Sequence, residues 1–272
     1  MTRTPPPTVP PSSPLPPLDA AEFHQLRDLV HRHSGIRLFE HKRVLVQNRL
    51  NRRLRALGLL SFRAYLDLLR SGDANAPEFD RLIESICTHV TGFFREGAHF
   101  DYLRGPFVQE HRELPALRIL SAGCSTGEEP YSIAMCLSDA LSDGPGRRFQ
   151  VQAFDLSASI LRVAAAGIYA EERVRHLPRE LVRRHFLKGH RQFSDKVRVA
   201  PELRRAVSFQ KANLIRPRDL EGPFHAVFCR NVCIYFDRPT QLECFRWFHR
   251  VLAPRGLLFL GHSESLIGAD QD

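Results

Sequence analysis

The stretch LSAGCSTGEEPYS, from Leu120 to Ser132, decides how the chain folds. An apolar run is followed by a loop with glycines at Gly123 and Gly127, and two glutamates then open a helical segment. A strand, a glycine loop and a helix in this order are typical of a doubly wound sheet, whose loop lets a ligand approach the backbone. The same letters also fit the G-x-S-x-G motif, in which Ser125 would be an esterase nucleophile.

The surroundings of the loop disfavour an esterase. A nucleophile elbow follows several earlier strands and a glycine-rich oxyanion segment, whereas here the sheet begins with the strand that feeds the loop. Asp237 and His262 are the residues that would have to complete a triad. We therefore interpret the stretch as a cofactor loop, in which Ser125 is small beside the ligand.

Carboxylates around the loop indicate the kind of cofactor. Glu128 and Glu129 lie at the helix start that would otherwise receive a pyrophosphate, and they would repel it. About thirty residues later a second strand ends at Asp155, an acid that can accept both hydroxyls of a ribose or cap the next helix. The combination favours S-adenosylmethionine, which has a ribose and a cationic sulfonium but no phosphate.

Short β-rich runs alternate with helical stretches after residue 104, which predicts an α/β fold with a parallel, doubly wound sheet. The predicted strands are 118–123, 149–155, 207–212, 226–232 and 256–261. Such a sheet binds its ligand at the carboxyl ends of the strands. Between about 173 and 206 the alternation is interrupted, and there we predict a small inserted β-subdomain.

The residues before this alternation form a separate part of the chain. Residues 1–18 are rich in proline and have little to bury, which predicts a disordered tail. Residues 19–104 have helical periodicity, as at Phe23, Leu26 and Val30. We therefore expect an all-helical domain at 19–104 and an α/β domain at 105–272.

One predicted helix, at 41–57, lies in a stretch of unbalanced charge. Residues 41–70 contain eight lysines or arginines and a single acid, Asp67. Solvated helix faces usually mix both signs, so a stripe of one sign predicts a docking surface for an acidic partner. The formal charge of +9 points the same way. The candidate docking residues are Arg49, Arg52, Arg53 and Arg55.

Several classes of protein are excluded by composition. The six cysteines form no C-x-x-C pair and no zinc-ligand pattern, which predicts reduced thiols and no metal site. No apolar run approaches the roughly 20 residues that a membrane span needs, and the amino terminus lacks a secretory hydrophobic core. We expect a cytoplasmic protein that does not insert into membranes.

Five groups of motifs resemble the CheR-type chemotaxis receptor glutamate O-methyltransferases, over about residues 20–266. They are GI at 35–36 with HKR at 41–43 and NRL at 48–50, TGFFRE at 91–96, STGEEPYS at 125–132, FCRNV at 228–232 with IYFD at 234–237, and GHSE at 261–264. The resemblance implies a helical receptor-recognition domain, then a Rossmann-like methyltransferase domain with an inserted β-subdomain. It also implies one more strand after GHSE, which the sequence up to residue 272 does not supply.

The resemblance also implies the site residues. Contacts to S-adenosylmethionine are expected from His89, Thr91, Arg95, Gly123, Glu128, Glu129, Asp155, Asn213, Leu214, Arg230 and Asn231. Relatives often have asparagine where His89 stands, which makes that contact an exception to the pattern. Arg95 and Tyr235 are the catalytic candidates, because one offers a charge and the other a hydroxyl.

The implied reaction moves a methyl group to a receptor glutamate and gives a γ-glutamyl methyl ester and S-adenosylhomocysteine. A glutamate has a reference pKa of about 4.3 and is already ionised near neutrality, so no general base is required. The expected partners are glutamate-rich helices of methyl-accepting chemotaxis receptors, with a receptor C-terminal peptide as a second contact. We expect a monomer.

Two other functions compete with this one. A nucleic-acid methyltransferase would explain the basic charge, but NVCI at 231–234 departs from the N/D-P-P-Y/F pattern of amino-methylating enzymes, and we expect no nucleic-acid partner. A non-catalytic module would bind the cofactor or the receptor without turnover. The intact glycine loop, Arg95 and Tyr235 disfavour it.

Overall fold

The computed structural model describes residues 15–71, 77–87, 90–142, 148–217 and 220–265. The chain clusters into two compact units, a helical unit up to residue 88 with Tyr235–Asp237, and a sheet unit of 89–234 with 238–272. Of the predicted features, most of the proline-rich tail and His89 lie outside the described residues. No helix in the described ranges is long and apolar enough to span a membrane.

Within the described residues, the helical unit has four α-helices, which are α1 (Ala20–Ser34), α2 (Arg43–Leu57), α3 (Phe62–Ser71) and α4 (Pro77–Ile86). Asp19 begins α1 with a capping box, in which its side chain accepts from the Glu22 amide and the Glu22 side chain accepts from the Asp19 amide. Gly35 ends α1 in the left-handed conformation, which glycine adopts without strain.

Arg53 of α2 is partly buried against α4. Its guanidinium forms a bidentate ion pair with Glu78, with Nε 2.6 Å from Oε1. The two side chains are only 17% and 15% exposed, and the Tyr65 hydroxyl donates to the same carboxylate at 3.0 Å. Burial, with the Glu78 carboxylate close by, raises the pKa of Tyr65 and keeps the phenol neutral. Arg53 therefore stabilises the helical unit.

The four candidate docking arginines of α2 differ in their surroundings. Arg49 also forms a hydrogen bond within the helical unit, because its Nη1 donates to the carbonyl of Ile86 at 2.7 Å. Neither Arg49 nor Arg53 is a free surface charge. Arg52 and Arg55 remain exposed on α2.

The sheet unit is built on a five-stranded, wholly parallel sheet in the order β6-β2-β1-β7-β8. The strands are β1 (Ala116–Ala122), β2 (Arg148–Asp155), β6 (Val207–Lys211), β7 (Phe224–Cys229) and β8 (Leu252–Leu260). Ile119 of β1 is paired with Val151 of β2 on one side and Ala226 of β7 on the other, and all three are buried. The predicted α/β fold class is confirmed.

Helices flank the strands along the chain. They are α5 (Gly97–Tyr102), α6 (Val108–Glu110), α7 (Glu128–Ala140), α8 (Ala158–Ala166), α9 (Arg179–His185), α10 (Pro201–Ala206) and α11 (Arg238–Val251). A π-helical turn at Leu103–Phe107 joins α5 to α6. Phe100, Leu103 and Phe107 are buried in the core of the sheet unit, so this helical segment belongs with the sheet although the sequence expectation ran the helical domain to 104.

A second, antiparallel sheet has the order β3-β5-β4. Its strands are β3 (Ile168–Ala170), β4 (Phe186–Lys188) and β5 (Lys196–Val199). This small sheet begins at Ile168, a few residues before the insertion expected from 173. Tyr169 and Val197 are buried in the core of the sheet unit, so the small sheet packs into the same hydrophobic interior.

Candidate active site

The site is built at the carboxyl ends of neighbouring strands. After β1, the amides of Gly123 and Cys124 both donate to the carbonyl of Phe154 at 2.9 Å. After β6, the amide of Ala212 donates to the carbonyl of Asp155 at 3.1 Å. The loops that follow β1 and β6 are thus both anchored to the end of β2, at the edge where such sheets bind ligands.

The two glycines of the loop are required by the packing of the protein itself. Gly123 has φ +76°, and a Cβ there would lie 2.6 Å from Cγ2 of Val232. Gly127 has φ +95°, and its Cβ would lie 2.9 Å from Cβ of Ala164. Because left-handed backbone also disfavours side chains, the loop can approach the turn after β7 only with glycine at 123.

Ser125 has no nucleophile geometry. It is left-handed at φ +50°, and its Oγ is inaccessible to solvent without a hydrogen-bond partner among the described residues. A serine nucleophile needs a histidine within hydrogen-bond reach, and His262 is instead 3.9 Å from Oε2 of Glu96. Asp237 clusters with the helical unit. The geometry favours the cofactor loop over the esterase.

Asp155 fixes the loop and the helix that follows. Its Oδ2 accepts from the amide of Ser125 at 2.9 Å, and its Oδ1 accepts from the amide of Ser157 at 3.0 Å. The cap of α8 is Ser157, whose side chain accepts from the amide of Ile160, so Asp155 holds the turn before that helix. Each carboxylate oxygen can accept a further hydrogen bond. A ribose contact is compatible with the role of Asp155 in the turn.

The two glutamates of the loop have different surroundings. Glu128 is 1% exposed, accepts from Oγ1 of Thr126 at 2.6 Å, and forms an ion pair with Arg173, which follows β3 of the small sheet. Glu129 accepts from Oγ of Ser121 at 2.8 Å. Burial raises the pKa of Glu129 even though the nearby guanidinium of Arg230 pulls it down. Glu128 is a structural acid, and Glu129 is the better candidate for a cationic ligand.

Arg230 is the first residue after β7. Its side chain is 2% exposed, with Nη2 3.2 Å from Oε2 of Glu96 and Nη1 3.3 Å from Oε2 of Glu129. The guanidinium also donates to the carbonyl of Arg95 and lies 5.4 Å from the centre of the Phe100 ring. Arg230 was expected to bind the cofactor. Both of its Nη atoms are engaged by protein groups, whereas its buried Nε has no hydrogen-bond partner among the described residues.

The pKa of Glu96 is lowered by its contacts with Arg230 and Asn231. Burial alone would raise the pKa, but the Arg230 guanidinium and a hydrogen bond from Asn231 more than offset it, and the pKa is lowered. The stabilisation that follows is present above the ordinary pKa of a glutamate and is lost as the pH falls through the lowered value. Glu96 therefore stays ionised beside Arg230 at neutral pH.

The TGFFRE segment leaves one charged group at the surface. The guanidinium of Arg95 is exposed, and its Nη1 donates to the carbonyl of Val90 at 3.0 Å. The carbonyl of Thr91 accepts from Nη2 of Arg173 at 2.8 Å, which ties the segment to the small sheet. Among the predicted catalytic residues, Arg95 has the free charge that a carboxylate substrate requires.

The remaining predicted residues lie at other strand ends. Asn213 follows β6 and its Oδ1 accepts from the amide of Ile215 at 3.2 Å, while Leu214 beside it is buried. Asn231 is left-handed at φ +59° after β7. Tyr235 clusters with the helical unit, where its carbonyl accepts from the amide of Arg37 at 2.8 Å. Its catalytic role stays a prediction.

Sequence reasoning missed three residues that hold the site together, namely Glu96, Arg173 and Glu264. Glu96 and Glu264 each end a motif of the resemblance, TGFFRE and GHSE, but the sequence indicates no role for either. Arg173 lies between β3 and β4 of the small sheet, and no local signal marks its partners. All three act through contacts that are distant in sequence.

The residues present fit S-adenosylmethionine. The pKa of Glu129 is raised by burial, and a bound cation would stabilise its charged form. Asp155 can accept hydrogen bonds from ribose hydroxyls. The buried Oγ of Ser125 lacks a hydrogen-bond partner in the described part of the chain. The first turn of α7 carries acids and not cations, so a phosphate is disfavoured there.

We predict that Gly123→Ala destabilises the protein by about 2 kcal/mol or more, because overpacking against Val232 adds to left-handed strain. Calorimetry should show weaker binding of S-adenosylmethionine. Adding Val232→Ala should restore part of the loss, since it removes the clash. Gly97→Ala is the control, because no atom lies within 4 Å of its Cβ. Unchanged melting and affinity in Gly123→Ala would contradict this account of the loop.

Comparisons with known proteins agree with the geometry. The family described as CheR methyltransferase, SAM binding domain, matches residues 89–272, and CheR methyltransferase, all-alpha domain, matches residues 21–87. The chemotaxis protein methyltransferase of Escherichia coli (strain K12) is 44% identical over 91% of this chain and 85% of that protein.

Two further relatives have similar names. The chemotaxis protein methyltransferase of Klebsiella aerogenes is 45% identical over 94% of this chain and 87% of that protein. Chemotaxis protein methyltransferase 2 of Pseudomonas aeruginosa is 40% identical over 96% of this chain and 95% of that protein. The chain belongs to the CheR methyltransferase family, whose larger domain binds S-adenosylmethionine.

Proposed function

We propose that this enzyme transfers a methyl group from S-adenosylmethionine to glutamate side chains of methyl-accepting chemotaxis receptors, forming γ-glutamyl methyl esters. The observation that carries the proposal is the charge arrangement at the strand ends. The carboxylate of Glu129 suits the positive charge of the cofactor, and that of Asp155 suits its ribose hydroxyls. Arg95 has an exposed guanidinium that can bind a carboxylate. The family relationship supports the same chemistry.

The cofactor would be held by residues from five segments of the chain. Glu129 would contact its ammonium group and Asp155 its ribose hydroxyls, while Thr91, Gly123, Asn213, Leu214 and Asn231 supply the remaining proposed contacts. When bound, the cofactor supplies an electrophilic methyl group on a sulfonium. Glu128 and Arg230 act indirectly, because their side chains are buried in ion pairs.

The protein then has to position a nucleophile that is already charged. A receptor glutamate has a reference pKa of about 4.3, so at neutral pH it needs no base. Arg95 would bind the carboxylate and help to displace the water around it. The backbone at residue 95 is held by a hydrogen bond from the Arg230 guanidinium to the carbonyl of Arg95. Tyr235 is proposed as a second positioning group through its hydroxyl.

The helical unit is proposed to bind the receptor helix through the outer face of α2. This face exposes Val44 and Leu45, then Asn48, Arg52 and Arg55, at spacings that share one side of a helix. Apolar residues next to two free arginines suit a glutamate-rich amphipathic helix. Arg49 and Arg53 are omitted because they are bonded within the helical unit.

We also propose a second contact for the receptor, on the small antiparallel sheet. The edges of the small antiparallel sheet expose Ile168 on β3 and Leu187 on β4, and an added strand from a receptor C-terminal peptide would pair there. We propose that the enzyme acts as a monomer in the cytoplasm, where its six free thiols would stay reduced.

We predict that Arg95→Ala lowers methyl transfer about a hundredfold or more, because the carboxylate loses its charged partner. Melting should be unchanged, since the guanidinium is exposed and donates to one backbone carbonyl. The assay uses tritiated S-adenosylmethionine with receptor membranes and scores label that base releases as methanol. Arg112→Ala, another exposed arginine, is the control. Near-normal turnover in Arg95→Ala would refute the role, and base-stable label or label on RNA would refute the ester.

We predict that Arg52→Glu with Arg55→Glu raises the receptor KM about tenfold or more and leaves the affinity for S-adenosylmethionine unchanged, because reversed charges repel an acidic helix. Initial rates against receptor concentration measure the first quantity, and calorimetry measures the second. The matched control is Arg104→Glu with Arg112→Glu, which makes the same charge change at exposed positions of the sheet unit. An unchanged KM, or an equal change in the control, counts against α2 as the docking face.

A further inference from the structure

The carboxylate of Glu264 accepts hydrogen bonds from four backbone amides. Its Oε2 accepts from the amides of Asn231 at 2.7 Å and Gly261 at 2.8 Å. Its Oε1 accepts from the amides of Val232 at 2.9 Å and Ile234 at 3.3 Å. Three of these donors lie in the turn after β7, so the side chain of Glu264 accepts hydrogen bonds from three backbone amides of that turn.

This turn needs an acceptor from elsewhere. Asn231 is left-handed at φ +59°, and a left-handed residue in a turn directs successive amides to one point. Such a concave set of N–H groups attracts an anion, and amides without an acceptor would be costly. The 3₁₀ turn that starts at Cys233 cannot supply this acceptor, because the first amides of a helical turn have no carbonyl partner within the turn.

The loop after β8 is fitted to hold this carboxylate. Gly261 leaves no room for a side chain, because a Cβ there would lie 2.6 Å from Nδ2 of Asn231 and 2.9 Å from Oε2 of Glu264. The amide of Glu264 donates back to the carbonyl of Gly261 at 2.9 Å. The loop and the turn therefore meet as a closely packed pair.

The turn held in this way contacts several of the proposed site residues. It begins at Arg230, which pairs with Glu96 and Glu129. Nδ2 of Asn231 donates to Oε1 of Glu96 at 3.4 Å, and Val232 packs where a Cβ on Gly123 would be. A shift of this turn would move the proposed cofactor contact at Asn231 and the glycine loop together.

We propose that Glu264 is a positioning residue for methyl transfer, which fixes the turn at Asn231 through its four amide hydrogen bonds without touching the cofactor. This inference rests on the proposed methyl-transfer function. A misplacement of about 1 Å in such a site can cost about a hundredfold in rate. The contribution of Glu264 is therefore to turnover as well as to folding.

Glu264→Gln tests the proposal, because it keeps the shape but turns an NH₂ group toward two amide donors. We expect turnover to fall about ten- to a hundredfold at saturating S-adenosylmethionine and receptor. The rate is divided by the number of cofactor sites titrated by calorimetry, so unfolded protein does not contribute. Glu113→Gln, the same change at a carboxylate that is 87% exposed, should turn over normally.

Glu264→Ala gives a second readout. Removing the side chain leaves the four amides without their acceptor, and added acetate should bind there and raise turnover, whereas chloride at equal ionic strength should not. A purely structural glutamate predicts wild-type turnover per site in Glu264→Gln and no acetate effect in Glu264→Ala, and that result overturns the inference. Absence of transfer by the wild-type enzyme would instead overturn the proposed function, so the two failures are distinguishable.

Discussion

The buried guanidinium of Arg230 is the interaction on which the site depends. Taking a cation out of water costs several kcal/mol, and this is offset only where acids and hydrogen bonds surround it. Here Glu96, Glu129 and the carbonyl of Arg95 surround it, from segments far apart in the chain. Removing one partner of such a pair typically costs about 3–5 kcal/mol, so the segments that carry Arg95 and Glu129 are fixed together.

The same cluster gives its two acids opposite properties. The pKa of Glu96 is lowered, so its pairing with Arg230 persists at neutral pH. The pKa of Glu129 is raised by burial, which means that its charged form is less stable than it would be in water. A cationic ligand would relieve that cost, whereas a phosphate would increase it. The site beside the glycine loop would therefore favour a cationic ligand over an anionic one, and the residue responsible is Glu129.

Much of this arrangement was predictable from sequence. Alternating strands and helices predicted the parallel sheet, and the glycine loop with its two glutamates predicted the kind of cofactor. Local patterns carry this information because strand ends and helix starts are set by neighbouring residues. The periodicity of α2 separated its buried face, with Val46, Leu50 and Leu54, from its charged one.

What the sequence did not predict depends on partners far along the chain. Arg53 looked like a surface charge until Glu78 was placed beside it by the packing of α4 on α2. Arg230 looked like a ligand contact, and its burial follows from Glu96 and Glu129 meeting at the end of β7. Glu264 closes the turn after β7 from more than thirty residues away. No periodicity or spacing signals such pairs.

The central claim is that the enzyme acts by positioning an ionised glutamate and not by proton transfer. The most direct test is the pH dependence of a single turnover, with S-adenosylmethionine bound beforehand and receptor in excess. We predict a rate constant that is level from about pH 6 to pH 9 and falls only toward the substrate pKa of about 4.3. A tenfold rise per pH unit through the neutral range would reveal a general base and contradict the account.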